Sequence, residues 1–145
     1  MHILLSVLVL VAAAEPGSSE PEKRYNQTLD LKKHPQDTAK ATLSSFVKSI
    51  ENKEIDYFMA YLADPKFVDQ RVKDLGGRFE DVVAEARQKL VDDPATLKLL
   101  RRLADDGEWE TKDDSATLTL KDAPDKPLHF VKRKERWYVE NRYSR

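Results

Sequence analysis

The feature of this sequence that most constrains its fold is a change in the spacing of apolar residues near Gly107. Before Gly107, over residues 97–103, leucines recur at helical spacing, which predicts an amphipathic helix. After it, over residues 116–120, apolar and polar residues alternate, which predicts a strand with one buried face. A parallel sheet would need helices between its strands. The order of the two patterns therefore predicts an α+β fold, with N-terminal helices packed on a C-terminal antiparallel sheet.

The sequence predicts four helices, each marked by a stripe of apolar residues, followed by four strands. The stripes are Ala39, Leu43, Phe46, Val47 and Ile50; Ile55, Phe58, Met59 and Leu62; Phe79, Val82, Val83, Ala86 and Leu90; and Leu97, Leu100 and Leu103. The strands are expected over residues 109–112, 115–120, 128–133 and 137–139. Asp64-Pro65 is expected to end the second helix, because the residue before a proline avoids the helical region. Lys66 to Val72 alternates weakly, which is consistent with a short strand.

Residues 1–14 have the pattern of a signal peptide. Ile3 to Val11 is apolar apart from Ser6, and Ala12-Ala13-Ala14 supplies the small residues that a signal peptidase accepts. A membrane-spanning helix needs about 20 apolar residues, so this run is too short to be one. We therefore expect cleavage near Ala14, export to the periplasm or outside the cell, and no integral membrane span after cleavage. An uncleaved membrane anchor is the alternative.

Residues 15–36 predict a disordered linker before the folded domain. Glu15 to Glu22 contains two prolines and no apolar residue that could be buried. Tyr25, Leu29 and Leu31 are the residues that could fasten part of this segment to the domain. We expect a single α+β domain over residues 37–145.

Composition and motif spacing exclude several kinds of site. The chain has 25 basic and 26 acidic residues, so it lacks the cationic excess with which nucleic-acid-binding proteins displace counterions from phosphate. It has no cysteine, which excludes thiol nucleophiles, cysteine-zinc sites and disulfides. The pairs Asp92-Asp93, Asp105-Asp106 and Asp113-Asp114 lack the alternating ligand positions of a calcium loop. We therefore expect no nucleic-acid partner, no metal and no cofactor.

Three residues are weak candidates for ligand binding, and no residue is a candidate for catalysis. Tyr57 and Tyr61 lie one helical turn apart, beside the apolar stripe of the second helix, where they could line the mouth of a pocket or contact a partner. His129 lies on a strand among apolar neighbours and could act in a pocket, since histidine titrates near neutral pH. The alternatives are edge packing for the tyrosines and a solvent-facing or hydrogen-bonded strand position for His129.

Parts of the chain resemble the nuclear transport factor 2-like superfamily. Residues 41–50, 52–58 and 62–68 resemble its opening, in which a helix with a buried aromatic leads through a short turn into a second helix that ends at an acidic, proline-containing corner. Residues 130–139, where Trp137 follows a charged turn, are similar to its last hairpin. The helical stretch 73–104 is longer than in this pattern.

The resemblance implies a curled sheet wrapped by helices, which form a cone with a pocket at its open end. It does not imply one activity, because polyketide cyclase-like proteins, ketosteroid isomerase-like enzymes and non-catalytic members share this architecture. We expect an exported, non-catalytic domain that binds a small ligand or a protein through such a pocket, with a homodimer through the sheet as a possible assembly. The alternative is a small pocket enzyme of the isomerase or dehydratase type.

Overall fold

The computed structural model describes residues 20–141. The predicted signal peptide (residues 1–14), residues 15–19 of the predicted linker and residues 142–145 lie outside the described residues. The helices are α1 (Ala39–Glu51), α2 (Ile55–Tyr57), which continues as a π-helical turn (Phe58–Leu62), α3 (Pro65–Asp74), α4 (Phe79–Leu90) and α5 (Pro94–Asp106). The strands are β1 (Lys23–Arg24), β2 (Gln27–Thr28), β3 (Glu108–Lys112), β4 (Ser115–Leu120), β5 (Ala123–Arg133) and β6 (Arg136–Glu140).

The helices precede a four-stranded antiparallel sheet in the order β3-β4-β5-β6, as expected for an α+β fold. Two-residue turns join β3 to β4 and β5 to β6, which fixes the register at Lys112 opposite Ser115 and Arg133 opposite Arg136. One face of the sheet packs against the helices, and this face buries a set of large apolar side chains, namely Leu118, Leu120, Phe130, Trp137 and Val139.

Capping residues fix where helices α1 and α5 begin. The Thr38 Oγ1 atom accepts a hydrogen bond from the Ala41 N–H at 3.0 Å and begins α1. Asp93 accepts from the Ala95 N–H at 3.0 Å, with Pro94 in the first turn of α5.

The weakly alternating residues 66–72 form helix α3 instead of the short strand that was expected. Asp64 accepts a hydrogen bond from the Lys66 N–H at 3.2 Å, so the Asp64-Pro65 pair ends one helix and caps the next. Val68 and Val72, four positions apart, are the buried residues of this helix. The apolar spacing of 66–72 is therefore helical, and the weak alternation was misleading.

Residues 20–36 pack against the helices and do not form the disordered linker that was expected. We call this segment the N-terminal strap. It contains the β1–β2 hairpin, in which Tyr25 and Asn26 form the turn with left-handed φ angles of 50° and 62°. Tyr25 and Leu29 pack against the core, whereas Leu31 is 45% exposed. The polar composition of the strap is misleading because its contacts with the domain are mainly hydrogen bonds, ion pairs and aromatic contacts.

Candidate functional site

A cavity of about 400 Å³, partly open to solvent, lies between the helices and strands β5 and β6. Its floor is made of buried apolar side chains contributed by α1, the π-helical turn, α4 and α5: Phe46, Phe58, Met59, Val82 and Leu100. Its rim carries polar and charged side chains from α3, α4 and the sheet: Arg71, Glu85, Lys89, His129 and Glu140. An apolar floor below a small number of polar groups is the common construction of a small-molecule site.

The π-helical turn shapes the floor of this cavity. The Ala63 N–H donates to the Phe58 carbonyl at 2.9 Å, a five-residue span that widens the helix by one residue relative to an α-helical turn. Phe58 and Met59 both line the cavity, and the Phe58 ring stacks on Phe46 with ring centres 4.3 Å apart. Single π-helical turns occur frequently at functional sites.

An ion-pair cluster connects α3 to α4 at the rim. Arg71 donates to both carboxylate oxygens of Glu85, at 3.2 Å from Nε to Oε2 and 3.0 Å from Nη2 to Oε1. The Lys89 ammonium lies 3.5 Å from the same carboxylate. Both oxygens of Glu85 are therefore engaged in charge-assisted contacts with cations at the rim.

His129, one of the three candidates for ligand binding, lies at the cavity, and its role there stays a prediction. It is partly buried on β5 beside Leu128, and its Nδ1 atom is 3.3 Å from the Thr117 hydroxyl. This contact orients the imidazole ring at the side of the cavity that the sheet forms.

Tyr57 and Tyr61 do not line this cavity. Both rings are buried, and their hydroxyl groups bond to the backbone of the N-terminal strap. The Tyr57 hydroxyl accepts from the Asp30 N–H at 3.1 Å, and the Tyr61 hydroxyl lies 2.7 Å from the Gln27 carbonyl oxygen. Burial raises the pKa of both tyrosines. Their structural role is therefore to hold the strap against the second helix.

A second polar cluster fastens the strap to α3. Arg24 Nη1 lies 3.1 Å from Asp69 Oδ2, and the Tyr25 hydroxyl donates to Asp69 Oδ1 at 2.7 Å. Burial raises the pKa of Asp69, but the hydrogen bonds from Arg24 and Tyr25 outweigh it, so the net pKa lies below its ordinary value. The Tyr25 ring stacks on Phe79 of α4 at 4.3 Å.

His34 and Gln36 are buried polar residues in the part of the chain expected to be disordered. The His34 Nε2 atom is 3.3 Å from the Glu54 carboxylate, while its Nδ1 atom has no hydrogen-bond partner among residues 20–141. Burial lowers the pKa of His34, and the contact with Glu54 opposes this effect without reversing it. Gln36 donates to the carbonyl oxygens of Tyr61 and Trp137 at 2.9 Å and 2.8 Å. The sequence gives no signal for these two positions because their partners are distant in the chain.

Within residues 20–141 no cluster of three or more histidine, aspartate or glutamate side chains is arranged to hold a metal ion. In the same range no helix has the length and apolarity needed to cross a membrane. The chain matches no protein-family model, no curated protein and no solved structure.

Proposed function

We propose that this protein is an exported domain that binds a small, largely apolar ligand in the cavity without catalysing a reaction on it. The observation that carries the proposal is the cavity itself, whose volume of about 400 Å³ lies within the range of small-molecule sites. Its buried floor offers aromatic and aliphatic surface, which favours a ligand with an apolar body.

The rim sets the polarity of the other end of the ligand. Arg71 and Lys89 are cationic, whereas Glu85 and Glu140 are anionic, so the charges at the rim balance. A balanced rim has no net attraction for a strongly charged molecule. The preferred ligand is therefore neutral or zwitterionic, with its apolar body on Phe46 and its polar end at the rim.

Export and family membership belong to the same proposal. Export is supported by the apolar run and the small residues over residues 1–14. Membership of the nuclear transport factor 2-like superfamily, with its cone-shaped sheet, is supported by the quoted motifs and by the order of helices before an antiparallel sheet. A homodimer through the sheet also stays a prediction at this level.

The alternative, a small pocket enzyme, would need an acid or base poised over the floor of the cavity. His129 is the lining residue whose chemistry suits that role best. The ion pairs of Glu85 favour binding over catalysis, because they engage the carboxylate that α4 places at the rim.

The test is a titration with N-phenyl-1-naphthylamine, a neutral apolar dye whose fluorescence rises in apolar sites. Ala86 lines the cavity, and Ala84 lies two positions away on the exposed face of the same helix. We expect saturable binding to the unmodified protein and to Ala84→Phe. In Ala86→Phe the new ring fills the cavity, and we expect the dissociation constant to rise by at least about tenfold.

Three outcomes would contradict the proposal. Absence of saturable binding to the unmodified protein would mean that the cavity does not accept apolar molecules. Equal binding by Ala86→Phe and Ala84→Phe would place the dye elsewhere. If a ligand that co-purifies is recovered chemically changed, and His129→Gln prevents the change, the enzyme alternative replaces the binding proposal.

A further inference from the structure

Strand β3 forms one edge of the sheet, and its outer backbone groups have no partner among residues 20–141. In an antiparallel sheet, successive residues of a strand direct their N–H and C=O groups to opposite sides. At the other edge, the outward groups belong to Trp137 and Val139, as their hydrogen bonds with Gln36 and Asp64 show. Following the pairing register back across the sheet places the outward groups of β3 on Trp109 and Thr111.

An apolar groove of about 330 Å³ lies between the inner face of the sheet and the start of α1, and it reaches this edge at Trp109 and Thr111. Trp109, Thr111 and Trp137 line it from the sheet, and Thr38, Ala39 and Lys40 line it from the start of α1. Trp109 is only partly buried, although the centre of its ring lies 5.3 Å from the ring centre of Phe130 in the core. A strand added along β3 would place alternate side chains into this groove.

The side chains on the opposite face of β3 carry two negative charges followed by one positive charge. Glu108, Glu110 and Lys112 are exposed, with exposed fractions of 63%, 75% and 77%. Charged residues at a sheet edge usually discourage pairing with other chains. Here the sequence Glu-Trp-Glu-Thr-Lys can instead pair with itself, because reversing one copy brings its terminal lysine opposite the terminal glutamate of the other.

We infer that β3 pairs with β3 of a second copy in an antiparallel arrangement centred on Glu110. In this register Glu108 lies opposite the partner's Lys112, and by symmetry the same ion pair forms twice. Trp109 lies opposite the partner's Thr111, so each Trp109 ring extends over the wall of the partner's groove. The outward N–H and C=O groups of Trp109 and Thr111 are then paired across the twofold axis.

The neighbouring registers are less favourable. A shift of two residues toward the hairpin turn pairs Glu110 with the partner's Lys112, but it places Glu108 opposite the partner's Asp114, which is repulsive, and Trp109 opposite the partner's Asp113, which puts a charged turn against the aromatic groove. A shift in the other direction places Glu108 opposite the partner's Glu110, which is repulsive. The centred register contains one unfavourable contact, between Glu110 and the partner's Glu110, against two favourable ion pairs and two filled grooves.

The test is sedimentation velocity over a concentration series, on the protein as it is isolated from the cells that naturally produce it. We expect a concentration-dependent species of twice the monomer mass. Thr111→Pro removes an outward N–H and leaves the pairing with β4 intact, so we expect it to be monomeric with a normal circular dichroism spectrum. Lys112→Glu replaces two attractions by two repulsions and should raise the dissociation constant at least about tenfold.

Charge reversal keeps the inference testable even if Thr111→Pro fails to fold. The double variant Glu108→Lys with Lys112→Glu restores the complementary pattern, and we expect it to dimerise like the unmodified protein. Glu110→Gln removes the unfavourable central contact and should tighten the dimer. A monomer at all concentrations, a dimer that survives both Thr111→Pro and Lys112→Glu, or a dimer that Glu110→Gln weakens would overturn the inferred arrangement.

Discussion

The two edges of the sheet differ in how their backbone groups are satisfied. At the β6 edge, Trp137 donates to the Gln36 carbonyl at 2.9 Å and Val139 accepts from the Asp64 N–H at 2.8 Å. At the β3 edge, Trp109 and Thr111 have no such partners among residues 20–141. The β6 edge is thus closed by segments that lie far away in the sequence, while the β3 edge is left available. The difference shows that exposure of an edge is a property of the surrounding chain and not of the strand itself.

Truncating the tryptophan at each edge should give the largest effect and the clearest contrast. Trp137 is 7% exposed and packs at the closed edge, so we expect Trp137→Ala to lower the free energy of unfolding by about 3–5 kcal/mol. Trp109 is partly buried at the available edge, so Trp109→Ala should cost clearly less in a monomeric background. Urea denaturation of both variants in the Thr111→Pro background measures the difference. Equal losses would mean that the two edges are equally packed.

Replacing Gln36 should weaken the closed edge itself. Gln36→Met keeps the side-chain volume but removes both hydrogen bonds from the amide group, to Tyr61 and Trp137. We expect a loss of about 1–3 kcal/mol, because the Tyr61 carbonyl loses its side-chain donor, whereas the Trp137 carbonyl keeps the hydrogen bond from the Thr42 hydroxyl. Amide exchange should also become faster at the Trp137 N–H. If exchange there is unchanged, Gln36 does not hold this edge.

The polar cluster of Arg24, Tyr25 and Asp69 between the strap and α3 should contribute less to stability, because Asp69 is 45% exposed and screened by water. We expect Asp69→Asn to cost about 1 kcal/mol at pH 7. The folded-state pKa of Asp69 is lowered, so its contribution is present above the unfolded value of about 3.9 and is lost as the pH falls through the folded value. The variant and the unmodified protein should therefore converge in stability at acid pH. A constant difference in stability at all pH values would mean that the charge of Asp69 does not stabilise the fold.

The smallest expected effect is an acid sensitivity of the strap near His34. Its folded-state pKa is lowered by burial, so the unfolded chain binds the proton more tightly and stability falls as the pH drops below about 6.5. We expect His34→Gln to flatten the stability profile between pH 7 and 5.5. Glu54→Gln should steepen the profile, because the Glu54 carboxylate raises the pKa of His34. Lys33 and Lys48 lower that pKa, and both remain in the variant. Parallel profiles for all three proteins would contradict this assignment.

The sequence predicts the elements whose signals are local. The stripe of α1 and the alternation of β4 both depend on neighbours within a few residues, and both are seen in the structure. Helix α3 was not predicted because its short apolar pattern resembles alternation as well as helical spacing. The π-helical turn was not predicted because it differs from an α-helix by one residue.

The strap and most of the candidate site depend on contacts between distant residues, which the sequence does not display. Arg24 and Asp69 are 45 positions apart, and Gln36 and Trp137 are 101 positions apart. Alternation also predicts that Tyr138 is less buried than Trp137, yet Tyr138 is only 6% exposed. Arg136 lies over its ring and pairs with Glu22 of the strap, which covers the outer face of the sheet at that point.

The strap limits the valence of each molecule, that is, the number of sheet edges through which it can pair with other copies. In the inferred dimer, the four-stranded sheet pairs through β3 while its β6 edge is covered, so association along this sheet ends at two copies. Removing residues 20–36 would free the Trp137 N–H of the β6 edge, where Asp64 would still bond to Val139, and would give each molecule a second pairing site, unlike the first, on the opposite side of its sheet. Pairing of unlike edges has no symmetric end point and continues into a fibre. In the language of polymer chemistry, the strap acts as a chain terminator.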